Sequence, residues 1–391
     1  RDINKSIHYL ILSSNQNNSD AQCFLGTIYY LAKYVPRDMN ESIHYLTLSS
    51  NQKNSYAQFI LGEIYYFAKY VPRNMNKSIY YLTLSSNQNN SKAQCLLGLI
   101  YYFAEYVPRD INKSIYYLTL SSNQNNSKAQ YLLGKIYYFA IYVPRDINKS
   151  IYYLTLSAGQ RSFNHKESAF YLGFIYSTKI LNKQNFTKSI HYYKDGSSLN
   201  DIRCKNNLGV IFYNGLGNKK NTQYAIELFN EAIKLRNDPV SMYNLSIIYF
   251  YEKINENYFE KAIELLLNSY NQNFVEGAEF LCLVLVTFCE KISIEKIKEI
   301  FYNFNSTNDR LSHHLYYIIK TNKMEKSIPK SNYETYYEFY KTQSYMHNIE
   351  GPPTPFYDTI NLKFEDDKKE NIYPNQKEIN SYFYEGFGFE I

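Results

Sequence analysis

The chain has 391 residues and a net charge of +6, and 45% of its residues are hydrophobic. This length suits two or three ordinary domains or one long repeat array, and the apolar share is enough for a buried core. The basic excess is mild and lacks the dense Lys/Arg stripe that nucleic-acid binders carry on one face. The composition therefore argues against nucleic acid as a partner.

The cysteines and the apolar runs bear on the compartment. The five cysteines contain no C-x-x-C pair and are odd in number, so they predict no disulfide framework. Cys23 and Cys95 share one repeat position with Phe59 and Tyr131, and we interpret them as small buried apolar residues. The most apolar run, 280–289, is too short to span a bilayer. We predict a cytoplasmic protein with no membrane insertion and, since the sequence opens without Met inside a repeat, an incomplete N-terminus.

Internal repetition is the strongest pattern in the sequence. A near-copy of RDINKSIYYLTLSSNQNNSKAQYLLGKIYYFAIYVP opens every 36 residues, at Arg1, Arg37, Arg73, Arg109 and Arg145. A Leu-Gly pair continues the same frame more loosely, and its glycines define the units: Gly26, Gly62, Gly98, Gly134, Gly173 and Gly209. Two degraded copies follow at Leu245-Ser246 and Cys282-Leu283, so about eight units are predicted.

Each unit is predicted to contain two helices. Pro36 ends one helix and Asp38 caps the next. In the other helix, Ser19 and Gln22 fit an S-x-x-Q capping box, in which the serine accepts from the backbone and the glutamine reaches back. Gly26 lies in the middle of that helix, where glycine costs roughly 1 kcal/mol relative to alanine. Its return in each unit predicts that a neighbouring helix packs too closely for a Cβ atom.

The order of these features resembles the Sel1-like repeat, a short relative of the tetratricopeptide repeat. The family pattern occurs in this sequence at Ala57, Leu61, Gly62, Tyr65, Val71, Pro72, Lys77, Ser78 and Tyr81. The family's G-x-G turn becomes alanine and tyrosine in the near-identical copies, whereas Gly215-Leu216-Gly217 keeps both glycines. The resemblance covers roughly residues 1–290. It implies an all-α fold, a right-handed superhelical α-solenoid of helix-turn-helix units.

Three regions follow from the quality of the repeats. Residues 1–157 contain four near-identical repeats and the start of a fifth. Residues 158–304 contain divergent repeats and a capping helix. Residues 305–391 are predicted to form a further helix and a poorly structured, partly disordered tail, because the periodicity fades and the Gly-Pro-Pro-Thr-Pro run at 351–355 breaks any helix.

No set of residues in the sequence predicts catalysis, a metal site or a cofactor. His8 and His44 share one repeat position, but packed helices lie roughly 10 Å apart, which is too far for two ligands of one metal ion. His313 and His314 are adjacent, and no H-E-x-x-H spacing occurs. The Gly-Leu-Gly turn at 215–217 lacks the third glycine and the preceding strand of a phosphate-binding loop. We therefore predict a non-catalytic protein without a small-molecule substrate.

Repeated surface positions form the candidate partner-binding site. By analogy with related helical repeats, the first helix of each unit lines the concave side, where tyrosine offers a large contact area at low entropic cost. The candidate groove residues are His8, His44, Tyr80, Tyr116, Tyr152, Thr47, Thr83, Thr119 and Thr155. A second series differs among the near-identical copies and is predicted to face solvent: Thr27, Glu63, Leu99 and Lys135.

The resemblance implies a scaffold or adaptor that binds peptides or helices of other proteins along this groove. One alternative is the regulatory repeat region of a larger enzyme, for example a kinase, whose catalytic domain lies upstream of Arg1. Another alternative is an RNA-binding helical array. That function would require base-reading side chains that vary at fixed positions and a basic concave stripe.

Overall fold

The computed structural model describes residues 3–272, 274 and 281, apart from 33, 105, 161, 163, 182–183 and 255–256. Within this range the chain forms fifteen α-helices and one 3-10 turn, Lys179–Leu181, and no strand. The helices are α1 (Ile3–Asn15), α2 (Ser19–Leu31), α3 (Met39–Asn51), α4 (Ser55–Phe67), α5 (Met75–Asn87), α6 (Ser91–Phe103), α7 (Ile111–Asn123), α8 (Ser127–Phe139), α9 (Ile147–Ala158), α10 (Asn164–Ser177), α11 (Phe186–Ser198), α12 (Ile202–Asn214), α13 (Thr222–Arg236), α14 (Pro239–Glu252) and α15 (Tyr258–Tyr270). Odd-numbered helices are called first helices here, and even-numbered helices second helices. The predicted all-α class is confirmed.

The first helices begin where the sequence predicts, just after the Val-Pro turn. Asp38 is the N-cap of α3 and accepts the backbone N–H groups of Asn40 and Glu41, each at 3.0 Å. The equivalent N-caps of α5, α7 and α9 are Asn74, Asp110 and Asp146. A side-chain oxygen at this position bonds backbone donors that have no partner in the first helical turn. The predicted cap at Asp38 is confirmed.

The second helices begin with a different cap from the predicted serine–glutamine box. The N-cap of α2 is Asn18, whose side chain accepts the backbone N–H of Ala21 at 3.0 Å. The equivalent caps of α4, α6 and α8 are Asn54, Asn90 and Asn126. Ser19 therefore lies inside the helix, and the box predicted at Ser19 and Gln22 was wrong. The asparagine one residue earlier bonds the orphan donors, which leaves the glutamine for a contact between helices.

Four second helices end on an alanine in the left-handed region of backbone space. The angle φ is 55° at Ala32, 52° at Ala68, 56° at Ala104 and 57° at Ala140. Gly215 takes the same position at the end of α12, with φ of 67°. A Cβ atom in this region costs roughly 1–2 kcal/mol. The replacement of glycine by alanine therefore leaves one strained residue in each of these four repeats.

Each second helix packs antiparallel against the first helix that follows it. A Cβ atom on Gly26 of α2 would lie 2.5 Å from Leu46 Cγ and 2.9 Å from the carbonyl oxygen of Ser42 in α3. The Ser42 hydroxyl also donates to the Gly26 carbonyl at 2.8 Å. The same bond recurs in the next three units as Ser78 to Gly62, Ser114 to Gly98 and Ser150 to Gly134. The predicted exclusion of a Cβ atom at the repeat glycine is confirmed.

Buried serine and glutamine side chains join the same two helices at their other end. The Ser49 hydroxyl, near the end of α3, donates to the Ser19 carbonyl at the start of α2, at 2.7 Å. Gln22 is 1% exposed; its amide donates to the Ser14 carbonyl at 3.2 Å, and its side-chain oxygen accepts from Gln52 at 2.7 Å. Matching glutamine pairs are Gln58 with Gln88, Gln94 with Gln124 and Gln130 with Gln160. Because these buried polar groups find partners, they fix the geometry of the pair without a large desolvation penalty.

The chain divides into two compact units, Arg1–Leu172 and Gly173–Ile391, called unit 1 and unit 2. Unit 2 keeps the glycine contact but places larger side chains opposite it. A Cβ atom on Gly173 would lie 2.5 Å from the Tyr193 ring, and one on Gly209 would lie 2.7 Å from the tip of the Phe229 ring. In both units the repeat glycine therefore leaves no room for a Cβ atom, but the side chain packed against it differs.

A polar network inside unit 2 joins the starts of the second helices α12 and α14. The Asn206 amide donates to the Asp238 carboxylate at 2.9 Å and to the Ser241 hydroxyl at 2.6 Å. Asn244 in turn donates to the Asn206 side-chain oxygen at 3.1 Å. Burial raises the pKa of Asp238, although the hydrogen bonds from Ser241 and Asn206 act in the opposite direction. The near-identical repeats lack the residues for this network, because they have no asparagine at the position of Asn206 and an uncharged asparagine at the position of Asp238.

The stacked helix pairs confirm the predicted helical repeat solenoid for the described residues. The right-handed superhelix, the concave side and the three sequence-based regions stay predictions. Several predicted elements lie outside the described residues: the last repeat copy at Cys282-Leu283, the capping helix before 304, and the helix and tail of 305–391.

Candidate partner-binding surface on the first helices

Five aromatic side chains occupy one equivalent position on the first helices α1, α3, α5, α7 and α9. We call them the aromatic ladder: His8, His44, Tyr80, Tyr116 and Tyr152. All five are exposed, and the three tyrosines are 60%, 58% and 59% exposed in chain order. From α3 to α9 the residue after each ladder position is half-buried; Tyr117, for example, stacks on Tyr101 of α6 with ring centroids 6.1 Å apart. Because successive residues of a helix point about 100° apart, the ladder side chain turns outward.

Edge contacts with the inner tyrosines brace the ladder. The rings of Tyr116 and Tyr117 meet edge to face at 5.2 Å, and those of His44 and Tyr45 do so at 5.3 Å. The same contact joins Tyr80 to Tyr81 and Tyr152 to Tyr153. Such aromatic pairs contribute about 0.5–1.5 kcal/mol beyond the area they bury. The exposed rings are therefore held in place before any partner arrives.

The threonines predicted to share the groove lie differently. Burial raises the pKa of Tyr81 in α5 while Thr47 of α3 acts to lower it, and Thr83 acts on the pKa of Tyr117 in the same way. Thr119 acts likewise on the pKa of Tyr153, whereas Thr155 is exposed. Thr47, Thr83 and Thr119 are half-buried, and each lies close to a tyrosine of the following first helix. The side chains of consecutive first helices therefore approach one another at these positions.

A leucine and a charged residue flank each ladder position along its helix. One helical turn after the ladder, Leu48 and Leu156 are each 36% exposed, and Leu84 and Leu120 are half-buried. About one turn before it, the exposed residues are Glu41 of α3, Lys77 of α5, Lys113 of α7 and Lys149 of α9. Each first helix of this group therefore presents a stripe of charged, aromatic and aliphatic side chains.

The net charge of these stripes differs from helix to helix. In α7 the Lys113 ammonium lies 3.4 Å from the Asp110 carboxylate, and in α9 Lys149 lies 3.5 Å from Asp146. The backbone N–H of Lys113 holds the pKa of Asp110 below its usual value, and the Lys113 side chain acts in the same direction. These two stripes are therefore neutral.

The stripes on α3 and α5 are not balanced in this way. The start of α3 carries Asp38 and Glu41, both exposed carboxylates. The start of α5 carries Lys77 beside the uncharged cap Asn74. Along the ladder, the surface is therefore anionic at His44, cationic at Tyr80 and neutral at the next two positions.

A family model described as the Sel1 repeat matches residues 1–18, 19–54, 55–90, 91–126, 127–162, 202–237 and 239–274. These segments make up more than half of the sequence. The chain belongs to the Sel1 repeat family. A complete match such as 19–54 joins second helix α2 to first helix α3, which is the pair that packs across the repeat glycine. The Sel1 solenoid is an architecture generally used as a scaffold for protein interaction.

Solved structures of other Sel1-type proteins share this fold. One is a protective antigen present in uropathogenic Escherichia coli strains, with 19% identity, a TM-score of 0.68, and coverage of 81% of this chain and 64% of the antigen. Another is a Sel1 repeat protein from Oxalobacter formigenes, with 22% identity, a TM-score of 0.56, and coverage of 72% and 81%. This Sel1 repeat protein thus spans less than two thirds of the antigen's length. No curated protein sequence matches it.

The Sel1 turns contain a second set of stacked side chains, which the sequence pattern did not predict. The guanidinium of Arg37 lies 3.8 Å from the centre of the Tyr70 ring, in the next repeat, and its Nε donates to the Tyr30 carbonyl at 3.0 Å. The same stack joins Arg73 to Tyr106 at 4.1 Å and Arg109 to Tyr142 at 4.2 Å. The constant spacing of these arginines and tyrosines in the sequence could have predicted the stacks. The arginines therefore hold repeats together rather than form a free basic row.

The variable positions predicted to face solvent are buried between the Sel1 repeats. Thr27 is 8% exposed, Glu63 3% and Leu99 2%, and Lys135 is half-buried. These residues lie on the second helices, where neighbouring repeats cover them. Burial raises the pKa of Glu63 to about 8, although Lys92 and Lys128 of the following second helices act to lower it. The prediction was wrong because variation in these copies marks contacts with a particular neighbour as well as exposed surface.

The equivalent stripe changes character in unit 2. His191 of α11 is exposed at the ladder position, but Glu227 and Glu264 take that position on α13 and α15. Glu231 and Asn268, both exposed, stand where unit 1 has leucine. The combination of exposed aromatic and aliphatic side chains is therefore a feature of unit 1.

Other predictions concern sites and compartment. Within the described residues, no group of three or more His, Cys, Asp or Glu side chains could hold a metal ion. The part of the chain described by the structure also contains no helix long and apolar enough to cross a bilayer. Cys23 and Cys95 are 5% and 4% exposed, which confirms that they are buried. The cytoplasmic location stays a prediction.

Proposed function

We propose that this Sel1 repeat protein is a non-catalytic scaffold that binds a segment of a partner protein along the aromatic ladder. The supporting observation is the repetition of an exposed aromatic side chain at one position on five consecutive first helices. Exposed rings held by neighbouring tyrosines bury a large area on binding and lose little rotational freedom. Such side chains are typical anchors of protein interfaces.

The electrostatics of unit 1 do not favour RNA along this surface. Residues 1–172 contain 17 Lys and Arg against 9 Asp and Glu, a net charge of +8. Yet Lys113 and Lys149 on the ladder helices are paired with aspartates, and the turn arginines stack on tyrosines. The ladder also repeats tyrosine on α5, α7 and α9, so it offers no side-chain variation that could distinguish bases. The regulatory role beside an upstream catalytic domain stays an alternative hypothesis.

A capture experiment with a triple variant tests this proposal. Tyr80, Tyr116 and Tyr152 are changed to alanine in the full chain, which is then used to capture proteins from a lysate of the source cells. The matched control changes three exposed apolar residues of unit 2 to alanine: Leu199, Leu235 and Tyr251. Circular dichroism checks that both variants stay helical.

If the ladder is the binding surface, at least one captured protein should bind the wild type and the control but not the ladder variant. Binding of that protein should fall by at least about tenfold, since each of three central aromatic anchors contributes. Capture of the same proteins by all three forms would overturn the assignment of the ladder as the binding surface.

A further inference from the structure

We infer that the ladder binds an extended polyproline II segment, which crosses one first helix per turn and carries a cationic residue opposite α3 and an anionic residue opposite α5. This inference rests on the proposed function and names the chemistry of its partner. It follows from the spacing of the first helices, the exposure of the tyrosines and the sequence of charges along the ladder.

The spacing of the ladder matches the pitch of polyproline II. Consecutive repeats stack directly on one another, as the contact between α2 and α4 and the Arg37–Tyr70 stack show, and packed helices lie about 8–10 Å apart. Polyproline II rises about 3.1 Å per residue with three residues per turn, so the same face returns after about 9 Å. A β-strand alternates faces every residue and presents opposite faces over three residues. One polyproline turn per repeat therefore keeps every third residue over a ladder ring.

The exposed chemistry of the ladder also favours this conformation over a bound α-helix. Tyr80, Tyr116 and Tyr152 are more than half exposed, so both a ring and a hydroxyl donor are accessible on each rung. The carbonyl groups of polyproline II have no internal hydrogen bonds, whereas those of an α-helix are already bonded. A helix would need a continuous apolar groove, but each stripe alternates apolar side chains with charged residues and asparagine. Aromatic rows with hydroxyl donors are the recognition mode of proline-rich segments.

The charges fix the register of such a segment. The α3 stripe presents Asp38 and Glu41, so a cationic residue of the ligand is favoured there. The α5 stripe presents Lys77 without an acidic cap, so an anionic residue is favoured one turn further. The α7 and α9 stripes are neutral because Lys113 and Lys149 each pair with an aspartate. Apolar or proline residues are favoured over these last two rungs.

The test measures binding of labelled synthetic peptides to the full chain by fluorescence anisotropy. The first probe has four proline-rich triplets, with lysine in the first triplet, glutamate in the second and leucine in the last two. The second probe exchanges the lysine and the glutamate. The third replaces the prolines by alanine, which favours a helix instead.

We expect the first probe to bind about tenfold more tightly than the second, since two favourable exposed charge pairs are replaced by two repulsions. The ladder variant with alanine at 80, 116 and 152 should lose at least about tenfold in affinity for the first probe. Phenylalanine at the same three positions should lose about threefold, because the rings stay and the hydroxyl donors go.

A charge exchange within the protein sharpens the test. The double variant Glu41→Lys and Lys77→Glu gives α3 the lysine that the sister copies already carry, so it is compatible with the fold. This variant should prefer the second probe over the first. An unchanged preference would overturn the charge register, and tighter binding of the alanine probe would overturn polyproline II in favour of a helix.

The two proposals fail in distinguishable ways. If a captured protein depends on the ladder tyrosines but none of the peptides binds, the surface assignment stands and the polyproline inference is wrong. If neither capture nor peptide binding responds to the alanine variant, both are wrong.

Discussion

Unit 1 and unit 2 use the same backbone contact and surround it with different side chains. In unit 1 the repeat glycine faces leucine, as Gly98 faces Leu118, whereas in unit 2 Gly209 faces Phe229. Unit 1 ends its second helices on alanine, and unit 2 ends α12 on Gly215. The exposed ladder position is histidine or tyrosine throughout unit 1 but becomes glutamate on α13 and α15. The comparison shows which parts of a Sel1 repeat are constrained by stacking and which are free to change.

Stacking constrains the glycine and the small side chain that bonds to its carbonyl. Ser114 bonds Gly98 in unit 1, and Ser189 bonds Gly173 in unit 2, at 2.7 and 2.8 Å. The outward face of the first helices is under no such constraint, because solvent accepts any polar or aromatic side chain. Binding properties can therefore differ between the two units without a change of fold.

The largest expected loss of stability comes from adding a Cβ atom to the repeat glycine, and it should be greater in unit 1 than in unit 2. A Cβ atom on Gly98 would lie 2.5 Å from Leu118 Cγ and 3.2 Å from the Ser114 carbonyl, so Gly98→Ala should destabilise the chain by about 2–3 kcal/mol. In Gly209→Ala, the three atoms nearest to the new Cβ all belong to the Phe229 ring, so the loss should be about 1–2 kcal/mol. Urea unfolding followed by circular dichroism measures both.

A double variant provides the control for the unit 1 contact. Leu118→Ala removes the clashing side chain, so the destabilisation of the double variant should be smaller than the sum of the two single effects. Strict additivity would contradict the assignment of the clash to Leu118.

The next effect concerns a buried position that differs between the units. Glu63 occupies a site where unit 2 has Val210, and its folded pKa is about 8 against an ordinary value of 4.5. Between these values the unfolded state binds fewer protons, so the wild type loses stability as pH rises from about 5 to 8. Glu63→Gln should be more stable than the wild type by about 2 kcal/mol at pH 6, and by only a few tenths of a kcal/mol near pH 4.5.

Urea unfolding of both proteins at the two pH values measures this difference. Glu63→Leu, which copies the sister residue Leu99, should behave like Glu63→Gln. A stability difference that does not change with pH would show that the Glu63 carboxyl is ionised in both states.

The smallest effect concerns the ends of the second helices. Ala104→Gly should stabilise the chain by about 1 kcal/mol, because it removes a Cβ atom from a residue with φ of 56°. Gly215→Ala should destabilise it by a similar amount, since φ is 67° there and the new atom would lie 3.2 Å from the Lys220 nitrogen. Opposite shifts in the midpoint of thermal unfolding would establish that alanine is strained at this helix end and glycine is not. Shifts of the same sign would contradict this.

Much of this architecture was predictable from residues with one dominant physical role. The recurring glycine predicted a close helix contact, Asp38 predicted a helix start, and the shared frame of the ladder residues predicted a repeated surface. The cap of the second helices was mispredicted because Asn18 and Ser19 are both good caps, and the choice depends on where the buried Gln22 must point. The exposure of Thr27, Glu63 and Leu99 was mispredicted because variation in sequence does not distinguish solvent from a neighbouring repeat.

The sequence by itself determined the period, the helix pair and the Sel1 family, since these depend on local propensity and on a repeat visible along the chain. Only the tertiary structure decided which polar residues are buried, which charges are paired and which rings are exposed. Those properties depend on contacts between residues about one repeat apart, as between Arg37 and Tyr70 or between Gln22 and Gln52. The free energy of such contacts depends on what covers each side chain, and in a stacked array that is decided by the neighbouring repeat.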